Sequence, residues 1–222
     1  AYLNFHAIRY DTVPSSAYAS PNLALPFLVP AVDPNTTTAA APPVVLGEDI
    51  EKWVLKRTGQ PQKTSTAHSH RLSLATYCPL VEHAIRRAWV HVLYLEDANF
   101  DSVVRRIYVD PCSTHPLVRM AIASQLRHAA REELDTFSRF REVDSLLSAA
   151  KDAFEVLSTV LKDQAYFTGT DTPGILDASL FAYTHLILDE SFGWKRNPLK
   201  KYLTKYENLV RHRNRILQAY FE

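Results

Sequence analysis

From Leu72 to the end of the chain, apolar residues recur at helical spacing. The pattern predicts helices over 72–97 with a kink at Pro79, and over 116–133, 141–163, 174–189 and 199–221, the last broken near Glu207. No strand pattern interrupts them. The opening residues read differently. "AYLNFHAIRY" sets Leu3, Phe5, Ile8 and Tyr10 at spacings that fit a short amphipathic helix, and "LALPFLVP" is an apolar run bounded by turn formers, as a buried strand is. Pro26 interrupts that run and removes a ladder hydrogen bond, so an edge or strand-start position is expected, with Leu25-Pro26 as a place for a cis bond. Residues 30–43 are rich in Pro, Thr and Ala and read as a flexible loop. "VVL" at 44–46 reads as a short strand, and "GEDIEKWVLKRTG" as a helix with acids at its head and bases at its tail. The expected class is α+β and predominantly α: a small αβ unit over 1–58, the polar stretch "QPQKTSTAHSH", and an all-helical unit over 67–222.

One charge stands out against this pattern. Between Ile175 and Leu188 ten of fourteen residues are apolar and cover every side of the helix, which marks a helix enclosed by others. Asp177 lies at its head. With Gly174 as N-cap, Asp177 falls at the third helical position, where its carboxylate can accept the cap N–H and oppose the helix dipole; Thr172 as cap with Pro173 following is the alternative. Either way the charge serves helix initiation. Catalysis would need a nucleophile or base nearby, and helical spacing supplies none.

Composition narrows the function. With 46% hydrophobic and 22% charged residues, the 222-residue chain has an ordinary soluble composition, and a formal charge of +1 gives no general case for nucleic acid. Cys78 and Cys112 lack CxxC or Cys/His spacing, which fits a reducing compartment. "LALPFLVPAV" is the longest apolar stretch, well short of the roughly 18 residues that cross a bilayer.

"YASPNLALPFLVP", "AYFTGTDTPGILDASLFAY" and the closing "YENLVRHRNRILQAYF", with Asn208, Leu209, Val210, Arg215 and Ile216, resemble the metaxin family, in particular its fungal metaxin-2 type. These are peripheral subunits of the mitochondrial sorting and assembly machinery. The resemblance implies a glutathione-transferase-like fold: a partial thioredoxin-like unit, whose first strand and activating residue would precede Ala1, and a helical domain. It further implies a non-catalytic role without cofactor or metal, on the cytosolic face of the mitochondrial outer membrane. The implied partners are the β-barrel core subunit, a second metaxin-like subunit and β-barrel precursors, and no nucleic acid. Two departures matter. Where transferases place a glutathione-binding Ser, the turn "VVLGEDI" has Gly47, and where the family favours Ser or Thr as cap, Gly174 stands. The rival readings are a glutathione-dependent transferase or reductase on the same fold, and a transferase-like adaptor in a translation complex.

Other chemistry is sparse. His68 and His70 lie two apart, on different sides of a helix, with no third ligand beside them. His128 and Glu132 have the spacing of a surface pair, and Cys78 reads as a small hydrophobe at the Pro79 kink. Tyr202, Tyr206, Tyr220 and Phe221 fit the apolar face of terminal helices. One cluster points outward. Lys195, Arg196, Lys200, Lys201, Lys205, Arg211, Arg213 and Arg215 lie near a single acid, Glu207. Such a face is either simply solvated or attracts anionic headgroups or an acidic partner, and Lys195, Arg196, Lys200, Lys201 and Lys205 are its candidate contacts.

Overall fold

The computed structural model describes residues 1–13, 20–22, 26–31, 44–59, 76–136 and 142–222. The chain forms two units, Ala1–Ser69 and His70–Glu222.

In the first unit α1 is a single turn, Tyr2–Phe5, and not the longer amphipathic helix that the spacing of Leu3, Phe5, Ile8 and Tyr10 suggests. Ala7 takes φ 51°, a left-handed conformation that stops the helix, and the His6 ring packs edge-on against Tyr2 at 4.8 Å. Strand β1 (Phe27–Leu28) pairs antiparallel with β2 (Val45–Leu46), Phe27 opposite Leu46 and Leu28 opposite Val45. Pro26 immediately precedes β1, a position that sacrifices no ladder donor. The Leu25-Pro26 bond, the loop at 32–43 and the histidines at 68 and 70 lie outside the described residues. Gly47 follows β2 because of a close approach: a Cβ there would stand 3.2 Å from the Pro26 carbonyl oxygen. Helix α2 (Ile50–Arg57) has Glu51 in its first turn and Lys56 and Arg57 in its last, buries Val54, and ends where Thr58 Oγ1 donates to the Val54 carbonyl.

The second unit is helical. Helix α3 (80–95) winds with i→i+5 closure over Leu80–Ile85, α-helically over Arg86–Val90, and again wide over His91–Leu95. Extended backbone at Glu96 ends it. Helix α4 (97–109) lies outside the helices named from the sequence, although Phe100, Val103, Val104, Ile107 and Tyr108 have helical spacing. It starts with one α-turn, Asp97–Asn99, and continues with i→i+5 closure through Phe100–Val109. The wide winding sets a different apolar rhythm: Val109, five residues beyond Val104, joins the buried face, while Ile107, three beyond, leaves it. A tight turn at Asp110–Cys112 leads to α5 (Pro116–Thr136), then α6 (Val143–Leu161), α7 (Ile175–Leu188), α8 (Pro198–Leu203) and α9 (Glu207–Tyr220).

The main core joins Ile85 and Val92 of α3, Phe154 and Leu157 of α6, Leu176 and Leu180 of α7, Leu199 and Leu203 of α8 and Leu209 of α9. A second cluster gathers Leu93, Phe100, Val103, Val104, Val109 and Ala123 where α3, α4 and α5 meet. Within α7 Ala182 alone is exposed, so this helix is the one its neighbours enclose. Arg86 ties the rim: its guanidinium grips the Glu133 carboxylate at 2.7 and 3.0 Å and reaches the Tyr183 hydroxyl at 3.3 Å, and the Glu133 bond holds its proton more firmly than usual.

Candidate functional site

The head of α7 is built around Asp177, fully buried at the third helical position. Gly174 is the N-cap, not Thr172, and donates its N–H to Asp177 Oδ2 at 2.8 Å. Oδ1 accepts the Phe167 N–H at 2.9 Å and lies 2.8 Å from Nε2 of His212, an equally buried ring of α9. So a base does stand beside Asp177, brought from 35 positions along the chain and invisible to helical spacing. Its placement gives it no substrate to act on. Phe167 and Tyr166 pack edge-on against the imidazole at 5.6 and 6.3 Å, and both His212 and Asp177 are closed to solvent. The pair binds the loop 162–174, α7 and α9 into one body.

Gly174 has its own cause. A Cβ there would fall 2.9 Å from Thr168 Cγ2, and Thr168 is held by its hydroxyl, which donates to the Thr172 carbonyl at 2.7 Å. A capping Ser or Thr does not fit without moving that side chain. The lost cap is partly replaced by the Asp177 half of the box.

The rest of the closing motif is also structural. Asn208 donates to the carbonyls of Ser158 and Lys162 at 2.9 and 3.1 Å and accepts from the Ser158 hydroxyl at 2.8 Å, fixing the end of α6 where Lys162 takes φ 51°. Arg215 donates to the Ala165 carbonyl at 2.8 Å, and Arg213 to Nδ1 of His185 at 3.1 Å. Burial, aided by the Arg213 charge, pushes the His185 pKa down. Phe221, although exposed, stacks on Phe181 at 5.1 Å, and Tyr202 and Tyr206 pack against the core. His128 and Glu132 form a surface pair at 3.3 Å.

The basic cluster divides accordingly. Its arginines at 213 and 215 brace the fold, Arg196 lies 3.7 Å from Glu96, and Lys200 pairs with Glu190 at 2.9 Å, two acids that the local sequence count around Glu207 does not include. Lys195, Lys201, Lys205 and Arg211 are exposed, with no partner among the described residues. Lys195 and Arg196 project from a loop held from beneath by Asn99. This buried amide accepts the N–H groups of both residues at 2.9 and 3.0 Å and donates to the carbonyls of Arg196 at 2.7 Å and Val92 at 2.9 Å. All its hydrogen-bonding capacity is used. Asn197 then caps α8, its side chain accepting from Lys200 N at 2.9 Å and donating to the Ile187 carbonyl, with Pro198 at the first helical position. Trp194 Nε1 donates to the Leu186 carbonyl. The result is a rigid loop and short helix that display cations outward.

Sequence reasoning names the cations of this surface and not the residue that shapes it. Asn99 carries no local signal, because three of its four bonds close across the tertiary fold to Lys195 and Arg196 and the fourth reaches Val92 of the preceding helix. Pro26 belongs to the first unit, at the head of β1. No helix among the described residues is long and apolar enough to cross a membrane.

A comparison with protein families finds the glutathione S-transferase C-terminal domain over residues 150–216, from within α6 into α9, so the helical fold is transferase-like. No curated protein matches the chain. The family described as outer mitochondrial membrane transport complex protein matches residues 1–117, just over half of the 222, and the chain belongs to that family.

Proposed function

We propose that this protein is a non-catalytic, peripheral subunit on the cytosolic face of the mitochondrial outer membrane that helps receive β-barrel precursors for insertion. Its partners in this reading are the β-barrel core subunit of the assembly machinery and a second metaxin-like subunit. The observation that carries the reading, beside membership of a transport-complex family, is the display of unpaired lysines on a braced loop and helix while the internal acid–base pair is sealed. A precursor strand exposes unpaired backbone donors and acceptors and pairs with any open edge, so a subunit that holds the receiving barrel in place needs docking contacts and no turnover.

The test is a mild-detergent pull-down of the full chain from mitochondria. A β-barrel protein of the outer membrane co-purifies with the wild type, and the variant Lys195→Glu/Lys201→Glu/Lys205→Glu recovers several-fold less of it while folding normally. Recovery without any barrel protein sinks the reading. The transferase C-terminal match favours one rival, a glutathione-dependent enzyme, and retention on immobilised glutathione with measurable conjugation would establish it instead. Against that rival, the turn where a transferase binds glutathione through a Ser has Gly47, with the Pro26 carbonyl 3.2 Å from any added Cβ.

A further inference from the structure

Five large apolar side chains stand in solvent within fourteen residues of the α4–α5 hairpin: Ile107, Tyr108, Leu117, Val118 and Met120, with Leu117 and Met120 each 64% exposed. Elsewhere among the described residues of the helical unit, exposed large hydrophobics are isolated: Val156, and Phe221, which stacks on Phe181. We propose that this hairpin tip is a membrane-insertion element that dips into the lipid interface of the bilayer on which the family works. The inference rests on that membrane station and not on the precursor-receiving role.

Three observations favour lipid as the occupant. The tip is the end of a helical hairpin and not a groove, and a fluid apolar phase needs no complementary shape, whereas a protein partner does. Next, the turn satisfies much of its own polar backbone, as a segment entering an apolar phase must. Cys112 Sγ donates to the Tyr108 carbonyl, His115 N to Ser113 Oγ, Arg119 Nε to the Ser113 carbonyl, and Arg119 N to the His115 carbonyl. Finally, the charges rimming the tip are already paired or bonded: Arg105 with Asp101 at 3.1 Å, Arg119 with Asp110 at 3.6 Å, and Arg106 on the Phe192 carbonyl at 2.9 Å. Three arginines against two aspartates leave an excess of cation at headgroup depth, and Tyr108 has the amphipathic ring suited to that depth.

Attachment through the tip is therefore mainly apolar and only weakened by salt, whereas attraction through the unpaired lysines is lost in it. Cys112 is exposed at the tip and provides the probe position. The experiment uses the full chain with Cys78→Ala and an environment-sensitive fluorophore on Cys112, mixed with vesicles of phosphatidylcholine, with or without phosphatidylinositol. The expected result is a blue-shifted emission, quenched by nitroxide-labelled lipid, in both vesicle types and at high salt. Leu117→Glu/Met120→Glu lowers vesicle partition by roughly ten-fold or more, since each removed contact is a large apolar side chain. Lys201→Glu/Lys205→Glu leaves it unchanged. If the glutamates disturb folding, Leu117→Ser/Met120→Ser gives the same loss. The proposal fails if the probe stays in water, if partition ignores the tip substitutions, or if salt abolishes binding, which would assign it to the lysines. Protection of the probe only when a barrel protein is present, with no response to lipid, overturns it equally. Because the vesicles contain no protein, failure here leaves the pull-down result standing, and the reverse.

Discussion

Asp177 and Asn99 are each the third residue of a helix, each fully buried, and each holds a distant loop by its backbone, yet they do so with opposite chemistry. Asp177 can only accept. It takes two backbone N–H groups and the His212 ring, and it locks a loop through that loop's buried Tyr166–Phe167 stretch. Asn99 both accepts and donates, so one side chain grips the N–H and the C=O of Arg196 together and sets the angle at which two cations are displayed. A carboxylate suits a helix head, where donors and dipole converge; an amide suits an irregular loop, where donors and acceptors alternate.

Removing the acceptor is the most damaging way to break this pair of centres. Asp177→Ala leaves two N–H groups and a buried imidazole without a partner and is expected to cost about 3–5 kcal/mol, read from urea unfolding. Asn99→Ala comes next, at about 2–4 kcal/mol, because the groups it abandons are backbone N–H and C=O groups alone. Hydrogen exchange separates the two: Asn99→Ala speeds exchange at Lys195 and Arg196, while Asp177→Ala speeds it at Phe167 and Gly174. If both variants loosen the same amides, the centres are not independent.

Gly174→Ser is a gentler probe of the Asp177 side. A Ser cap contributes about 1 kcal/mol, but crowding Thr168 costs about 1–3 kcal/mol, so a net loss of about 1 kcal/mol is expected. Thr168→Ser removes the crowding methyl, keeps the hydroxyl, and turns the loss into a gain in the double variant. Smallest is the effect of mild acid. Burial holds the pKa values of His91 and His185 below the ordinary histidine value, with Glu96 and Asp189 respectively opposing. The unfolded chain therefore binds more protons. Stability from these rings is complete above the unfolded pKa and lost as pH falls through the folded values, so unfolding midpoints decline from about pH 7 to about pH 5. His91→Gln/His185→Gln flattens that decline.

The helical half and the Asp177 cap were legible because both rest on local rules: apolar period for the one, a carboxylate three residues after a turn for the other. His212 was not, since a buried ring on the amphipathic α9 reads as one more polar residue until α7 is laid against it. Helix α4 was there to be read: Phe100, Val103, Val104, Ile107 and Tyr108 recur at helical spacing, and only the i→i+5 winding that turns Val109 inward and Ile107 outward is absent from that period. The opening turn at Tyr2–Phe5 was overextended because the left-handed conformation of Ala7 has no glycine to announce it. The basic cluster was visible as composition, but only the fold divides bracing arginines from free lysines.

Helix α4 has Asn99 in its first turn, under the loop of Lys195 and Arg196, and ends beside the apolar hairpin tip. It is thus a short helix between two outward-facing parts, its winding changing from α to i→i+5 just after Asn99. The residue that seats those two cations and the exposed Ile107 and Tyr108 are therefore carried by one helix, near its two ends.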